Sequence, residues 1–141
     1  MGKINVGRVI LGGIVAGIVG DVLDIPVDGV WLAKRWTDGL SALGHPGYGT
    51  NQIICFNVLG LIVGLVAIWI YAGIRPRFGA GAKTAIYAGI ATWILAFLVP
   101  NVAFMWVEGL FSEHLTLYTT AGNLVECVIG AIAGAALYKE D

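Results

Sequence analysis

The sequence contains few charged residues. Asp, Glu, Lys and Arg make up 12% of its 141 residues, whereas soluble domains usually carry about 25%. Hydrophobic residues make up 58%, and they occur in runs long enough to cross a hydrocarbon core of about 30 Å. The formal net charge of −1 excludes a broad basic surface for nucleic acid. We therefore expect an integral membrane protein without a soluble domain.

Recognisable catalytic and nucleotide-binding motifs are also missing. The sequence contains no glycine-rich phosphate loop, nucleophile elbow or zinc-protease motif. Its two cysteines, Cys55 and Cys127, form no CxxC pair, and both fall in predicted helices, where we expect small core residues rather than a redox centre. The sequence names no cofactor and no substrate, and it does not favour an enzyme.

Four hydrophobic segments predict an all-α protein with four transmembrane helices, at about residues 4–33, 51–73, 84–111 and 115–138. A single bundle would then span residues 1–141. Residues 36–50, which are rich in glycine, predict a short interfacial helix and a loop with several turns. The first hydrophobic run is longer than the core of a signal peptide, so we expect it to be a retained helix.

Basic residues predict the orientation of the helices. One side would carry Lys3, Arg8, Arg75, Arg77, Lys83 and Lys139, and the other only Lys34 and Arg35. This asymmetry places both termini in the cytoplasm of a bacterial inner membrane, with residues 36–50 and the loop near residue 112 outside. The partners we expect are the lipid bilayer and either further copies of the chain or a larger membrane complex.

The two halves of the sequence resemble each other weakly. Residues 27–31, Val-Asp-Gly-Val-Trp, match residues 107–111, Val-Glu-Gly-Leu-Phe, and residues 58–64 match residues 128–134. These matches predict two tandem helical hairpins related by a pseudo-twofold axis along the membrane normal. Chance similarity between glycine-rich apolar helices is the alternative explanation.

Glycine pairs spaced four residues apart occur in three of the predicted helices, at Gly13/Gly17, Gly60/Gly64 and Gly130/Gly134. Such spacing favours close packing of helices within the bundle rather than a dimer contact.

The central turn resembles a known group of proteins. Residues 69–79, Trp-Ile-Tyr-Ala-Gly-Ile-Arg-Pro-Arg-Phe-Gly, and residues 81–85, Gly-Ala-Lys-Thr-Ala, are similar to small four-helix bacterial membrane proteins of unknown function. Residues 7–13 and 135–140 resemble them too. The resemblance covers most of the chain and implies a four-helix membrane fold, but it implies no activity.

Acidic and amide side chains cluster toward the predicted outer end of the helices. On the first helix, Asp21, Asp24 and Asp28 fall within roughly 60° of one another. On the fourth, Thr119, Asn123, Glu126 and Gly130 share one face. Counting about 20 residues per crossing places Asn57 and Asn101 at similar depths. These residues predict a carboxylate-lined cavity that is open to the outside.

Asp21 and Glu126 are the deepest carboxylates in this arrangement. Two neighbouring carboxylates in a low-dielectric site cannot both be ionised without a counter-charge, and no Lys or Arg reaches that depth. We therefore expect a site for a proton or a small hard cation, in a transport or sensing role. The residues that would orient the ligand are Asp24, Asn57, Asn101 and Asn123, with backbone carbonyls freed by Pro26 and Pro100.

Two other interpretations remain open at this point. The polar residues could only hydrogen-bond to one another and fix helix packing, in a non-catalytic accessory subunit of a larger complex. Alternatively, an outer vestibule formed by Asp28, Glu108, His45 and His114 could hold Zn²⁺ or Cu²⁺ in a metal-dependent membrane enzyme. No HxxxH or HxxE spacing supports the metal, and exposed loop histidines are the simpler expectation.

Overall fold

The computed structural model describes residues 3–140, and within this range the protein is all-helical. Four of its helices are long and apolar enough to span a membrane: α1 (Val6–Trp31), α3 (Thr50–Phe78), α4 (Ala82–Val107) and α5 (Glu113–Ala135). A short helix, α2 (Ala33–Ala42), follows α1 directly. The predicted all-α class with four spanning helices is confirmed, whereas the tandem-hairpin symmetry stays a prediction.

Two proline residues lie beside stretches where the helices widen. In α1 the α-helix ends at Asp24 and continues as a π-helix, Ile25–Trp31, with Pro26 in its first turn. In α4 the π-helical stretches Ile94–Leu98 and Asn101–Val107 flank Pro100. Proline lacks an N–H, and its ring collides with the carbonyl four residues earlier, so a wider turn relieves the conflict. Such stretches frequently occur at functional sites.

The end of α3 differs from the sequence expectation. We expected the helix to stop near residue 73, before a basic turn, but Arg75, Pro76 and Arg77 form its last helical turn. The chain leaves the helix only at Gly79, whose φ is +83°, a value that glycine adopts without strain. The Thr84 hydroxyl donates to the Gly79 carbonyl oxygen at 2.7 Å and fixes the turn into α4.

Helix α5 lies at the centre of the bundle. Half of its spanning segment is buried inside the protein, compared with 28% or less for α1, α3 and α4. The remaining helices expose many large apolar side chains on their outer faces, as expected of helices that face lipid.

The two ends of the bundle differ in chemistry. The terminal end, formed by residues 3–5, 79–81 and 136–140, is closed by aromatic packing: Tyr138 is almost fully buried, and its ring meets that of Tyr71 at 5.8 Å. Arg75 lies over the Tyr138 ring and pairs with Glu140 at 2.9 Å. The loop end, formed by residues 32–49 and 108–112, has a second core of Leu32, Met105 and Leu115.

Glycines allow the backbones of neighbouring helices to meet. A Cβ atom on Gly64 of α3 would overlap Gly13 and Gly17 of α1, and a Cβ on Gly134 of α5 would overlap Gly12. These contacts bring α1, α3 and α5 together between the two ends of the bundle, and they leave little room for a polar passage in that layer.

The substitution Gly64→Ala is expected to lower the free energy of unfolding by about 1–3 kcal/mol, because the added methyl forces α3 away from α1. The matched control is Gly73→Ala on the same helix, where nothing lies within 4 Å of the added Cβ. Thermal unfolding in detergent should show a lower midpoint for Gly64→Ala and an unchanged or higher one for Gly73→Ala. Equal midpoints would show that this close contact does not limit stability.

Candidate functional site

Three carboxylates from two helices meet near the loop end of the bundle. One oxygen from each of Asp24 and Asp28 on α1 and Glu126 on α5 lies within 4.8 Å of the others. Within residues 3–140, they are the one group of three His, Cys, Asp or Glu side chains that could hold a metal ion. Asp21 packs against Gly60 of α3 and lies close enough to interact electrostatically with Asp24 and Glu126.

The aspartates grouped with Glu126 are not all the ones that the sequence led us to expect. We expected Asp21 to be its main partner and placed Asp28 in an outer vestibule, but Asp24 and Asp28 are the α1 acids in the three-carboxylate group. The reason is the π-helical stretch Ile25–Trp31, which changes the rotation of the side chains relative to a regular α-helix. Asp28 thereby faces α5 although it lies near the end of α1.

Two hydrogen-bond donors hold the Asp28 carboxylate. Its Oδ1 accepts from the indole Nε1 of Trp36 at 2.7 Å and from the hydroxyl of Thr119 at 2.6 Å. Trp36 lies on α2 and Thr119 on α5, so one carboxylate oxygen connects three helices. Distances this short are typical of bonds to an ionised acceptor. Sequence reasoning placed Thr119 on the polar face of α5, but it assigned no such role to Trp36.

The carboxylate of Glu126 is held on one side only. The residue is 8% exposed, and its Oε2 accepts from the amide of Asn123 at 3.1 Å. Its Oε1 is buried and has no hydrogen-bond partner. A buried carboxylate oxygen without a partner is costly, so this atom requires an explanation in terms of a ligand or a proton.

A network of amides and hydroxyls extends the site to α4. The amide of Asn101 donates to the side-chain oxygens of Thr120 at 3.1 Å and Asn123 at 3.4 Å. The indole of Trp93 donates to the Thr120 carbonyl oxygen at 2.8 Å. Asn123 contacts Glu126 directly, Asn101 is linked to the acid through Asn123, and the network fixes the orientation of the Asn123 amide.

The structure places the other predicted site residues elsewhere. Asn57 is exposed and donates to the Ile53 carbonyl oxygen of its own helix, because residues 50–59 of α3 are all exposed. Glu108 is exposed where α4 ends. The His45 ring accepts from the Gly47 amide, and the His114 ring stacks on Tyr118. Neither histidine belongs to the three-carboxylate group, so the geometry does not support a histidine-based metal centre.

Tyr48 lies at the loop end of the bundle, next to Trp36. Its ring lies 6.3 Å from that of Trp36 and 5.2 Å from that of Phe56. Burial raises the pKa of the Tyr48 phenol above its usual value of 10.0, and the negative charge of Asp28 raises it further. Tyr48 is thus close enough for its pKa to depend on the charge of Asp28.

We expect Asp28→Asn to lower the pKa of Tyr48 toward its usual value, because a neutral neighbour no longer disfavours the phenolate. Ultraviolet titration of the phenolate, with Tyr48→Phe to assign the signal, would measure the change. The matched control is Asp38→Asn, an exposed aspartate that pairs with Lys34, which should leave the Tyr48 titration unchanged. An Asp28→Asn titration identical to that of the unmodified chain would contradict the placement of Tyr48.

Comparisons with known proteins identify no relative: no family model, no curated protein and no solved structure matches this chain. The class of protein is therefore defined by the structure itself, as a helical bundle with four helices able to span a membrane and an acidic group near one end.

Proposed function

We propose that this chain is a membrane protein that binds a proton or a small cation between α1 and α5, in a transport or sensing role. The observation that carries the proposal is the Oε1 atom of Glu126, which is buried without a hydrogen-bond partner in a residue grouped with Asp24 and Asp28. Leaving a carboxylate in this state costs free energy, and a bound proton or cation would offset that cost.

The positive charge has to come from the ligand. The two basic residues of the loop end have other partners: Lys34 pairs with Asp38 at 2.6 Å, and Arg35 lies over the Tyr118 ring at 5.6 Å. The described neighbours that hydrogen-bond to the acids, namely Trp36, Thr119 and Asn123, are all neutral. Like charges this close together repel strongly in an apolar bundle, and these neighbours do not neutralise them.

The packing of the bundle supports entry and exit at the loop end. Asp24 and Asp28 are only partly buried there, whereas the layer beyond Asp21 is closed by glycine contacts and by the Tyr71–Tyr138 pair. An ion that reached Glu126 would therefore have to return by the same route or wait for a rearrangement of the helices. This arrangement favours binding or sensing over a continuous pore.

Thermal unfolding tests the proposal. We expect the unfolding midpoint of the unmodified chain to respond to pH or to added Ca²⁺ or Na⁺, because a ligand that binds only the folded state stabilises it, by about 2.7 kcal/mol at 100 times its Kd. Glu126→Gln should abolish this response. The matched control is Glu113→Gln, the same change at an exposed position of the same helix, which should keep it. Identical responses from the two variants would refute the proposal.

A second candidate function rests on the loop end of α3. Residues 50–59 are all exposed, and they include the polar side chains of Asn51, Gln52 and Asn57. Amides on the outside of a spanning helix are unfavourable in lipid, so this face would suit a neighbouring protein in a larger membrane complex. Native mass spectrometry from membranes tests this: a stoichiometric partner supports the subunit, and a chain isolated alone or only with its own copies contradicts it.

A further inference from the structure

We infer that the ligand of the Asp24–Asp28–Glu126 site is a divalent cation of the hard, oxygen-binding class, and that Ca²⁺ is the best fit. This inference rests on the proposed function and specifies its ligand. Three features of the site support it: the chemistry of its donor atoms, the number of negative charges and the spacing of the oxygens.

The donor atoms are all oxygens. The three side chains that could hold an ion are carboxylates, and the polar neighbours Thr119 and Asn123 donate hydrogen bonds to two of them. Neither a histidine nor a cysteine belongs to the group among the described residues. Oxygen-only sites suit Ca²⁺, Mg²⁺ and Mn²⁺, whereas Zn²⁺ and copper favour nitrogen and sulfur.

The charge of the site matches a divalent ion better than a proton. The short bonds that Asp28 Oδ1 accepts from Trp36 and Thr119 indicate an ionised carboxylate. The Oε1 atom of Glu126 is buried without a hydrogen-bond partner, beside oxygens of Asp24 and Asp28. The three carboxylates can carry up to three negative charges, and one bound proton neutralises only one of them, whereas a divalent ion neutralises two.

The spacing of the oxygens suits an ion of the size of Ca²⁺. One oxygen from each carboxylate lies within 4.8 Å of the other two. Ca²⁺ accepts oxygen ligands at about 2.3–2.6 Å in a flexible geometry, whereas Mg²⁺ demands near-ideal octahedral geometry and loses its water reluctantly. Three oxygens this close together could hold one metal ion, and an irregular set of this kind suits Ca²⁺ better than Mg²⁺. Three protein ligands leave positions for water, which can enter beside the partly exposed Asp24 and Asp28.

Neighbouring residues orient two of the carboxylates for this role. Trp36 and Thr119 occupy Oδ1 of Asp28, and Asn123 occupies Oε2 of Glu126. These bonds fix the two carboxylates and leave Oε1 of Glu126 without a partner, as outer partners of metal ligands commonly arrange. Thr119, Trp36 and Asn123 are positioning residues in this scheme, because they act through the carboxylates.

Calorimetric titration of the full chain in phosphatidylcholine nanodiscs, with Ca²⁺, Mg²⁺, Zn²⁺ and Na⁺ as separate probes, tests the inference. We expect one Ca²⁺ per chain, bound more tightly than Mg²⁺ or Zn²⁺. Asp28→Asn and Glu126→Gln should each weaken Ca²⁺ binding by at least about 100-fold, and Thr119→Val by about 10–100-fold, as for an outer partner of a metal ligand. The controls Asp38→Asn and Glu113→Gln should bind Ca²⁺ as the unmodified chain does.

The outcomes separate this inference from the proposed function. If no divalent ion binds, but the unfolding midpoint still responds to pH or Na⁺ through Glu126, the divalent assignment is wrong and the proposed function stands. If no probe and no pH change has an effect that depends on Glu126, both are wrong. Ca²⁺ binding that Asp28→Asn and Glu126→Gln leave unchanged, in variants that unfold cooperatively, would also overturn the inference.

Discussion

Replacing Glu126 by glutamine is expected to stabilise the cation-free protein, by about 1–3 kcal/mol. The neutral side chain removes the negative charge from the buried Oε1 position, which has no hydrogen-bond partner. Its amide oxygen can still accept the hydrogen bond from Asn123, and its amide nitrogen can donate toward Asp24 or Asp28 in the same group. A substitution that removes a carboxylate and stabilises the cation-free protein is typical of a binding site rather than of a structural ion pair.

The unfolding midpoint in a chelator, without added cations, measures this effect. Glu113→Gln provides the matched control because Glu113 is exposed in the first turn of the same helix, and it should change the midpoint little or lower it slightly. If Glu126→Gln instead destabilises the cation-free protein, the carboxylate contributes to packing and the site interpretation fails.

Replacing Asn123 by leucine is expected to destabilise the protein by about 2–4 kcal/mol. The residue is buried, it donates to Glu126, and it accepts from Asn101. Leucine would remove both bonds, so Oε2 of Glu126 would lose the hydrogen bond that it accepts from Asn123. The loss should be smaller when Glu126 is already glutamine, because residues in one network do not contribute additively.

A double-mutant cycle of Asn123→Leu and Glu126→Gln, followed by unfolding, measures this coupling. Asn57→Leu is the control, because Asn57 is exposed on α3 and bonds only to its own helix; it should leave the midpoint nearly unchanged. Additive effects in the cycle, or an equal loss for Asn57→Leu, would show that the Asn123 network does not hold the acid.

The fold could be predicted from the sequence because long apolar runs with little charge have few alternatives to spanning helices. The helix ends were less predictable. Pro76 suggested a turn, but the helix continues past it to Phe78 and ends only at Gly79. The π-helical stretches beside Pro26 and Pro100 could not be predicted, because a proline can equally end, kink or widen a helix.

The acids of the site could be predicted in part. Helical periodicity placed Asp21, Asp24 and Asp28 on one stripe, and the counting of depth placed Glu126 at a similar level. Depth gives the height of a side chain but not the direction in which it points. Asn57 is exposed. This orientation could not be predicted, because α3 is apolar on all sides and its sequence carries no signal for its inner face. The bond from Trp36 depends on how α2 folds back, which no local pattern specifies.

Infrared difference spectroscopy of the unmodified chain and of Glu126→Gln tests the central claim most directly, namely that the Glu126 carboxylate exchanges a proton or a cation in the bundle. The spectra would be recorded between about pH 4 and about pH 9, around the range in which carboxyl groups titrate, with and without Ca²⁺. We predict a carboxyl or carboxylate band that shifts with pH or Ca²⁺ in the unmodified chain and is absent from Glu126→Gln. Identical difference spectra for the two proteins under all these conditions would contradict the account.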